Sequence, residues 1–397
     1  MPGATVKGGA MRAARSGLAR LLWALGLVLA VGWVYGWMVT DLTLLGQVLW
    51  WASLPVAALS IVLIALGWAA WPGLRAGRAS RQLLGRGRDR PRGWSRWGCL
   101  VLGLVMVGGE CWHGLNMASL VAPVRRVPPA SLLVVHWNSS VGEVPDAAGI
   151  AARLGRTGRP DVVLTSMQNY HEQWDAIKAV MRSVEGEEIY FEFSGMQKVF
   201  SRYPIMSQRM FLIPVFAESD GSRVAPTIPA GLERALRRVF SGVGVYPRDS
   251  NRLDPASVMV IELDTTAHLG CVTTMYFVDY PSNPVAHRAK VARIVRAHLD
   301  KLRAGGPDSP PIPEASLIVG DFNTPRGSVS LDLLAPGYQP ASVTAGLGVL
   351  ATWPRRWSLL HIDHALVSPR WACEGYELLD PGISEHDAQR LRIWPAR

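Results

Sequence analysis

Ile318-Val319-Gly320-Asp321-Phe322-Asn323-Thr324-Pro325 decides how this chain is read. An apolar run ends in Gly-Asp-x-Asn. A carboxylate and an amide therefore stand just past the C-terminal edge of a buried strand, where α/β folds place their ligand sites. The carboxylate is suited to orient or deprotonate a water, and the amide to hold an oxygen of a ligand. In isolation the same residues would also make a plain turn, since Asp and Asn satisfy local backbone groups.

Outward from this stretch, short apolar runs suited to buried strands recur. Leu132–Trp137 leads into Asn138, and Asp161–Thr165 opens after Pro160. Ile189–Phe193 and Lys198–Phe200 read as a hairpin about Ser194-Gly195, and Ser257–Leu263 with Cys271–Val278 as a second. His361–Val367 and Tyr376–Leu379 are late strands. Between them Asp146–Leu154 and Glu172–Val184 read as helices. Pro284–Leu302 is a long amphipathic helix with Val291, Ile294, Val295 and Leu299 at helical spacing. Three further motifs carry polar groups: Phe200-Ser201-Arg202-Tyr203-Pro204-Ile205, Ile362-Asp363-His364-Ala365-Leu366-Val367, and Ser384-Glu385-His386-Asp387 near the C-terminus.

Together these motifs, in this order, resemble the endonuclease/exonuclease/phosphatase (DNase-I-like) superfamily over roughly residues 130–397. The resemblance implies an α/β fold, a four-layer α/β/β/α sandwich of two mostly antiparallel sheets with helices outside. It also implies hydrolysis of a phosphoester with Mg²⁺ or Mn²⁺ as cofactor, on a nucleic acid, a lipid headgroup or a small molecule. Carried over residue by residue, Asn138 matches the strand-end Asn near the metal. Asp321 matches the Asp that orients the attacking water, and Asn323 its neighbouring amide. Asp363 matches the Asp that pairs with the catalytic histidine, which is His386. Glu385 stands where the family usually has Asp in Ser-Asp-His and keeps a carboxylate for the metal.

Two departures bear on catalysis. The family strand that here begins at Pro160-Asp161 usually ends in Leu-Gln-Glu, and that Glu is the principal metal ligand. Its position is Met167 without a gap, or Asn169 with a two-residue insertion. A thioether is a poor partner for a hard cation, and an amide offers only a neutral carbonyl. In the second, Asp279 occupies the place of a phosphate-contacting histidine after Val278, and is a candidate for the missing metal carboxylate. A non-catalytic binding domain on the same fold therefore stands as the alternative to an enzyme, because fold does not establish function.

Arg202 and Tyr203 read as structural, as do His136, His171 and His287. His361 and His364 flank Asp363, but alternation along a strand would put His361 with Asp363 and His364 on the other face.

The 397 residues carry a formal net charge of +10, 49% hydrophobic residues and 18% charged ones, which argues against wholesale disorder. Four cysteines exclude a disulfide scaffold. The charge is unevenly placed. Residues 1–122 hold 12 Lys and Arg against 3 acidic residues, whereas the remainder holds 29 against 28. Three uncharged or nearly uncharged runs, about 18–39, 44–71 and 98–122, read as transmembrane helices, since about 20 apolar residues cross a bilayer. The third run holds Glu110 and His113, read as tolerated against neighbouring helices rather than as a functional site.

The tail carries Lys7, Arg12, Arg15 and Arg20, and the stretch 72–97 carries eight arginines. The positive-inside rule then puts both in the cytoplasm. Three crossings would leave the domain from 131 to 397 on the extracytoplasmic side, behind a proline-rich linker at 123–130, with membrane lipid as the partner of the N-terminal region. Cys271 and Cys373 would then face an oxidising space, and whether they pair stays open.

Overall fold

The computed structural model describes residues 4–70, 94–114, 126–139, 147–156, 158–166, 171–182, 186–216, 223–224, 254–283, 286–307, 309–346, 348, 350–355, 359–380 and 384–396. The chain divides into two units, Met1–Trp112 and His113–Arg397, taken here in turn.

The first unit is helical: α1 (Ala4–Val39), α2 (Leu44–Trp51), α3 (Ser53–Ala69) and α4 (Trp94–Gly114). Thr43 starts α2 by accepting the Gly46 N–H on its Oγ1 at 3.0 Å. The expected unbroken span over 44–71 is instead two helices meeting at 73°. The reason is Pro55, in the first turn of α3. It lacks an N–H, and its ring would collide with the Trp51 carbonyl of a continuous helix.

The count of spans is corrected accordingly. Among the described residues only Ser16–Val39 of α1 is long and apolar enough to cross a membrane alone, and the bent pair makes a second only if its halves form one crossing. The apolar part of α4, Gly98–Cys111, is too short to span at 1.5 Å per residue. Residues 115–122 of the expected third span, and 71–93 of the basic stretch, lie outside the described residues.

Close packing of α1 on α3 follows from Gly26. A Cβ there would stand 2.6 Å from Ile64 Cγ1, and its carbonyl accepts the Ser60 hydroxyl at 2.8 Å. Glu110 accepts from the indole N–H of Trp33 (2.7 Å) and of Trp37 (3.3 Å) and from the Ser53 hydroxyl (3.4 Å). Its partners are neutral donors on neighbouring helices, as the structural reading of this residue anticipates.

The second unit contains two six-stranded sheets. One runs in the order β11 (Trp371–Leu379), β12 (Ala388–Pro395), β1 (Leu132–Asn138), β2 (Val162–Ser166), β4 (Gln197–Ser201), β3 (Tyr190–Ser194). The other runs β5 (Ile205–Ile213), β6 (Ala256–Leu263), β7 (Thr273–Asp279), β8 (Leu317–Asp321), β10 (Asp363–Val367), β9 (Gln339–Pro340). Their facing side chains, among them Leu132, Val134, Leu164 and Val199 against Met259, Phe277 and Val319, form one buried core.

Helices α5 (Ala147–Gly155) and α6 (His171–Met181) belong to the outer side of the first sheet, where Trp174, Ile177 and Met181 meet Val135, Trp137, Val163 and Phe200. Helix α7 (Arg288–Ala304) covers the other sheet through Val291, Val295 and Leu299. Each of those three is fully buried, worth roughly 1.5–3 kcal/mol apiece. Helix, sheet, sheet and helix are thus the layers that the family resemblance implies.

Strand direction positions the site. β1 and β2 are parallel, so Asn138 and Ser166 end side by side; β7 and β8 are parallel, so Asp279 and Asp321 do the same. β10 runs antiparallel to β8 and therefore starts at that edge, with Asp363 opposite Asp321. β12, antiparallel to β1, begins there as well, just after His386.

Candidate active site

Four buried side chains from four strand ends meet at this edge. Asn138 Nδ2 donates to Asp321 Oδ2 at 2.9 Å, and His386 Nδ1 is 2.8 Å from Asp363 Oδ2. His386 Nε2 lies 3.9 Å from Asp321 Oδ2, joining the two pairs. Asp363 is fully buried and none of the other three exceeds 7% exposure, so these contacts act with little solvent screening.

Hydroxyl and backbone groups fix the constellation. Asp321 Oδ1 accepts the Asn323 N–H at 2.8 Å, while Asn323, at φ +48°, donates through Nδ2 to the Tyr280 carbonyl at 2.9 Å. An asparagine tolerates that left-handed backbone better than most residues. Thr352 Oγ1 accepts the Asp363 N–H at 3.1 Å. Ser384 donates its hydroxyl to the Asn138 carbonyl at 2.6 Å and accepts the His386 N–H at 3.0 Å, fastening the histidine to the end of β1.

The charges are strongly coupled. Burial alone would lower the His386 imidazole, but the Asp363 charge and hydrogen bond, with Asp321 and Asp279, outweigh it and raise it to about 9. Burial alone would raise Asp363, yet the charge and hydrogen bond of His386 hold it below the usual carboxylate range. Burial, reinforced by the Asp363 charge, pushes Asp321 up to about 8. Asp279 is pushed by burial to about 7 against the pull of His386. His386 is therefore a cation held by Asp363, with its Nε2 turned toward Asp321.

The model of the Endonuclease/Exonuclease/phosphatase family matches residues 135–386, which span all four of these side chains. The chain belongs to the Endonuclease/Exonuclease/phosphatase family. Among solved structures, the endonuclease/exonuclease/phosphatase from Beutenbergia cavernae is similar at 14% identity and TM-score 0.42, over 67% of this chain and 72% of that one. A functionally unknown conserved protein from Enterococcus faecalis is similar at 12% identity and TM-score 0.42, over 67% and 100%. A beta toxin mutant from Staphylococcus aureus with bound magnesium ions is similar at 13% identity and TM-score 0.34, over 67% and 100%. No curated protein matches the chain.

Members of this family are typically dependent on a divalent metal, and the residues present are compatible with one. Carboxylate oxygens of Asp321 and Asp363 and a ring nitrogen of His386 lie within 4.8 Å of one another, and with His386 protonated the carboxylates are the ligand atoms this group offers. Asp363 Oδ1 is buried without a hydrogen-bond partner among the described residues, an acceptor suited to a cation or its water. Asp279, Asp321 and Asp363 bring three carboxyl groups to one imidazole, and a bound cation would favour the ionised forms of Asp279 and Asp321 that burial disfavours.

The remaining candidates divide. Asp279 is next to Asp321 but outside the Asp321–Asp363–His386 group. Glu385 does not join that group either: it is exposed, between buried Ser384 and His386 in the bend that precedes β12. Glu172 is likewise exposed, and Met167 and Asn169 lie outside the described residues.

Arg202 is structural, bridging Asp161 and Glu187 at 3.0 Å each. His361 precedes β10, so strand alternation does not govern it, and its ring stacks on His364 at 4.7 Å. Cys271 and Cys373 are both free thiols. Thr352 lacked any signal in the sequence, since it reaches Asp363 only through tertiary contact.

Proposed function

We propose that this protein is a membrane-anchored phosphoesterase of nuclease or phosphatase type, working on the extracytoplasmic side with Mg²⁺ or Mn²⁺. The convergence of Asn138, Asp321, Asp363 and His386 carries this reading. His386, protonated and held through Nδ1 by Asp363, presents Nε2 to a phosphoryl oxygen and stabilises the charge that develops in the transition state. Asp321 in its ionised form orients the attacking water and accepts its proton as the new P–O bond forms opposite the leaving oxygen. Asn138 holds Asp321 in place, and Asn323 Nδ2 ties the following loop to the end of β7.

A divalent cation, anchored by Asp321 with Asn138 beside it, would polarise the phosphate and offset charge on the leaving oxygen. Substrates compatible with this chemistry are nucleic acids, lipid headgroups and small phosphoesters.

The test is a panel of phosphodiesters and phosphomonoesters offered to the full-length protein with Mg²⁺ or Mn²⁺, beside Asp321→Ala. Turnover lost in the variant supports the assignment; turnover that survives it rejects the site. A non-catalytic binding domain is the second reading, favoured by Met167-Gln168-Asn169 where the family carries its metal-ligating Glu. No turnover on any substrate class would favour it.

The location rests on the cationic tail ahead of α1, kept in the cytoplasm, and on Ser16–Val39 of α1 as a single crossing. A periplasm-active reporter fused after Arg397 should be active, and a cytoplasm-active one silent.

A further inference from the structure

The loop after Asp321 folds back along the segment that leads into Asp363. Phe322 N–H donates to the Ile362 carbonyl at 3.1 Å, and Arg326 N–H to the His361 carbonyl at 3.0 Å. Arg326 is thereby held at the same sheet edge as the Asp363–His386 pair, with its side chain only 7% exposed. Among the described residues its Nη1 has no hydrogen-bond partner and no carboxylate forms an ion pair with it.

The groups that feel its charge are His364 and Tyr376. Neither brings a negative charge at neutral pH. His364 Nε2 is engaged with the Thr324 carbonyl at 2.7 Å, and the Tyr376 hydroxyl with Gln389 Oε1 at 2.9 Å and His361 Nε2 at 3.2 Å. Burial pushes the Arg326 guanidinium down to about 10, so it stays charged at neutral pH. A buried cation without a counter-charge is costly, and its natural complement is an anion from outside the chain. A guanidinium presents a planar fork of donors that fits two phosphate oxygens.

We propose that Arg326 anchors an anion subsite beside the Asp363–His386 pair, which takes a phosphate group of the substrate next to the one that is hydrolysed. The proposal rests on the phosphoester reading above. A buried guanidinium on the flank of this centre supplies attraction and register for a polyanion. The reacting phosphate then faces His386 while its neighbour is held by Arg326.

Two arms test this. In the first, full-length protein in detergent without divalent cation is titrated with inorganic phosphate while its thermal midpoint is followed. The wild-type midpoint rises with phosphate. Arg326→Gln weakens the apparent affinity about tenfold or more, as expected for loss of a charge-assisted hydrogen bond, and Arg326→Lys retains part of it. Unchanged affinity in Arg326→Gln overturns the proposal. If the variants do not fold, amide exchange in the wild-type chain decides: phosphate slows exchange across residues 321–328, and unaltered exchange there overturns it.

The second arm adds Mg²⁺ or Mn²⁺ and compares a short oligonucleotide, which has neighbouring phosphates, with bis(p-nitrophenyl) phosphate, which has one. Arg326→Gln raises KM for the first about tenfold and leaves KM for the second unchanged; equal effects on both overturn the assignment to a substrate phosphate. If the wild type turns over neither, the phosphoester reading fails while the phosphate titration still reports on Arg326.

Discussion

Gly320→Ala tests how the fold holds Asp321. Gly320 sits in β8 at φ +151°, opposite Val278 of the parallel strand β7. A Cβ there would stand 1.9 Å from the Val278 carbonyl oxygen and 2.8 Å from its carbon. Both are backbone atoms, so no side-chain rotation relieves the clash. To reach an ordinary contact near 3.4 Å the strands must part by about 1.5 Å. The unfavourable backbone conformation costs about 1–3 kcal/mol. Loss of the adjoining ladder bonds adds about 1 kcal/mol each.

The expected loss is therefore roughly 3–5 kcal/mol, or a fall of about 10 °C in thermal midpoint for a domain of this size. Denaturant unfolding of the full-length variant in detergent measures it. Asp321 would also shift from Asn138, so activity should fall further than the folded fraction does. A variant within about 1 kcal/mol of wild type would refute the claim that β7–β8 approach dictates this glycine.

Asp161 accepts the buried Leu133 N–H at 2.8 Å and pairs with Arg202, so Asp161→Ala should cost roughly 2–4 kcal/mol in the same unfolding assay; a loss below about 0.5 would contradict the pairing. Burial lowers His364 to about 4, so between pH 6.5 and 4 the unfolded chain binds more protons than the native one. Its contribution is thus full above pH 6.5 and is lost as pH falls toward 4. The stability advantage of wild type over His364→Gln should shrink by roughly 2 kcal/mol from pH 7 to pH 5, and a constant difference would mean that His364 titrates normally. Glu110→Ala removes the 2.7 Å acceptor of the Trp33 indole and should cost about 0.6–2 kcal/mol of helix association with a shift in tryptophan emission; unchanged emission and midpoint would deny the contact.

Much of the fold was legible because burial writes itself into apolar runs. β1, β2 and β8 are continuous and enclosed on both faces, and α7 carries its helical stripe. β5 was missed because Ser207, Gln208 and Arg209 interrupt a half-exposed edge strand. β12 was missed although it alternates, since Arg390 and Arg392 on its outer face obscure Leu391 and Ile393 on the inner one. Asn138, Asp321, Asp363 and His386 stood out as polar residues at the borders of apolar runs.

Contacts that depend on three-dimensional closure left no such trace. Thr352 beneath Asp363 and the Arg326 guanidinium, without an ion pair among the described residues, belong to this class. The exposure of Glu385 belongs with them, since it lies in a bend before β12 where no strand period fixes its direction. The bend at Pro55 was also readable from the sequence, because proline in a helix has a steric consequence independent of hydropathy.

The most direct test of the central claim is the rate of phosphodiester hydrolysis by the full-length protein with Mg²⁺ or Mn²⁺, set beside that of His386→Ala at the same folded concentration. The account predicts measurable turnover in the wild type and a fall of about 10²–10⁴-fold in kcat for the variant. Equal rates in the two proteins would contradict it.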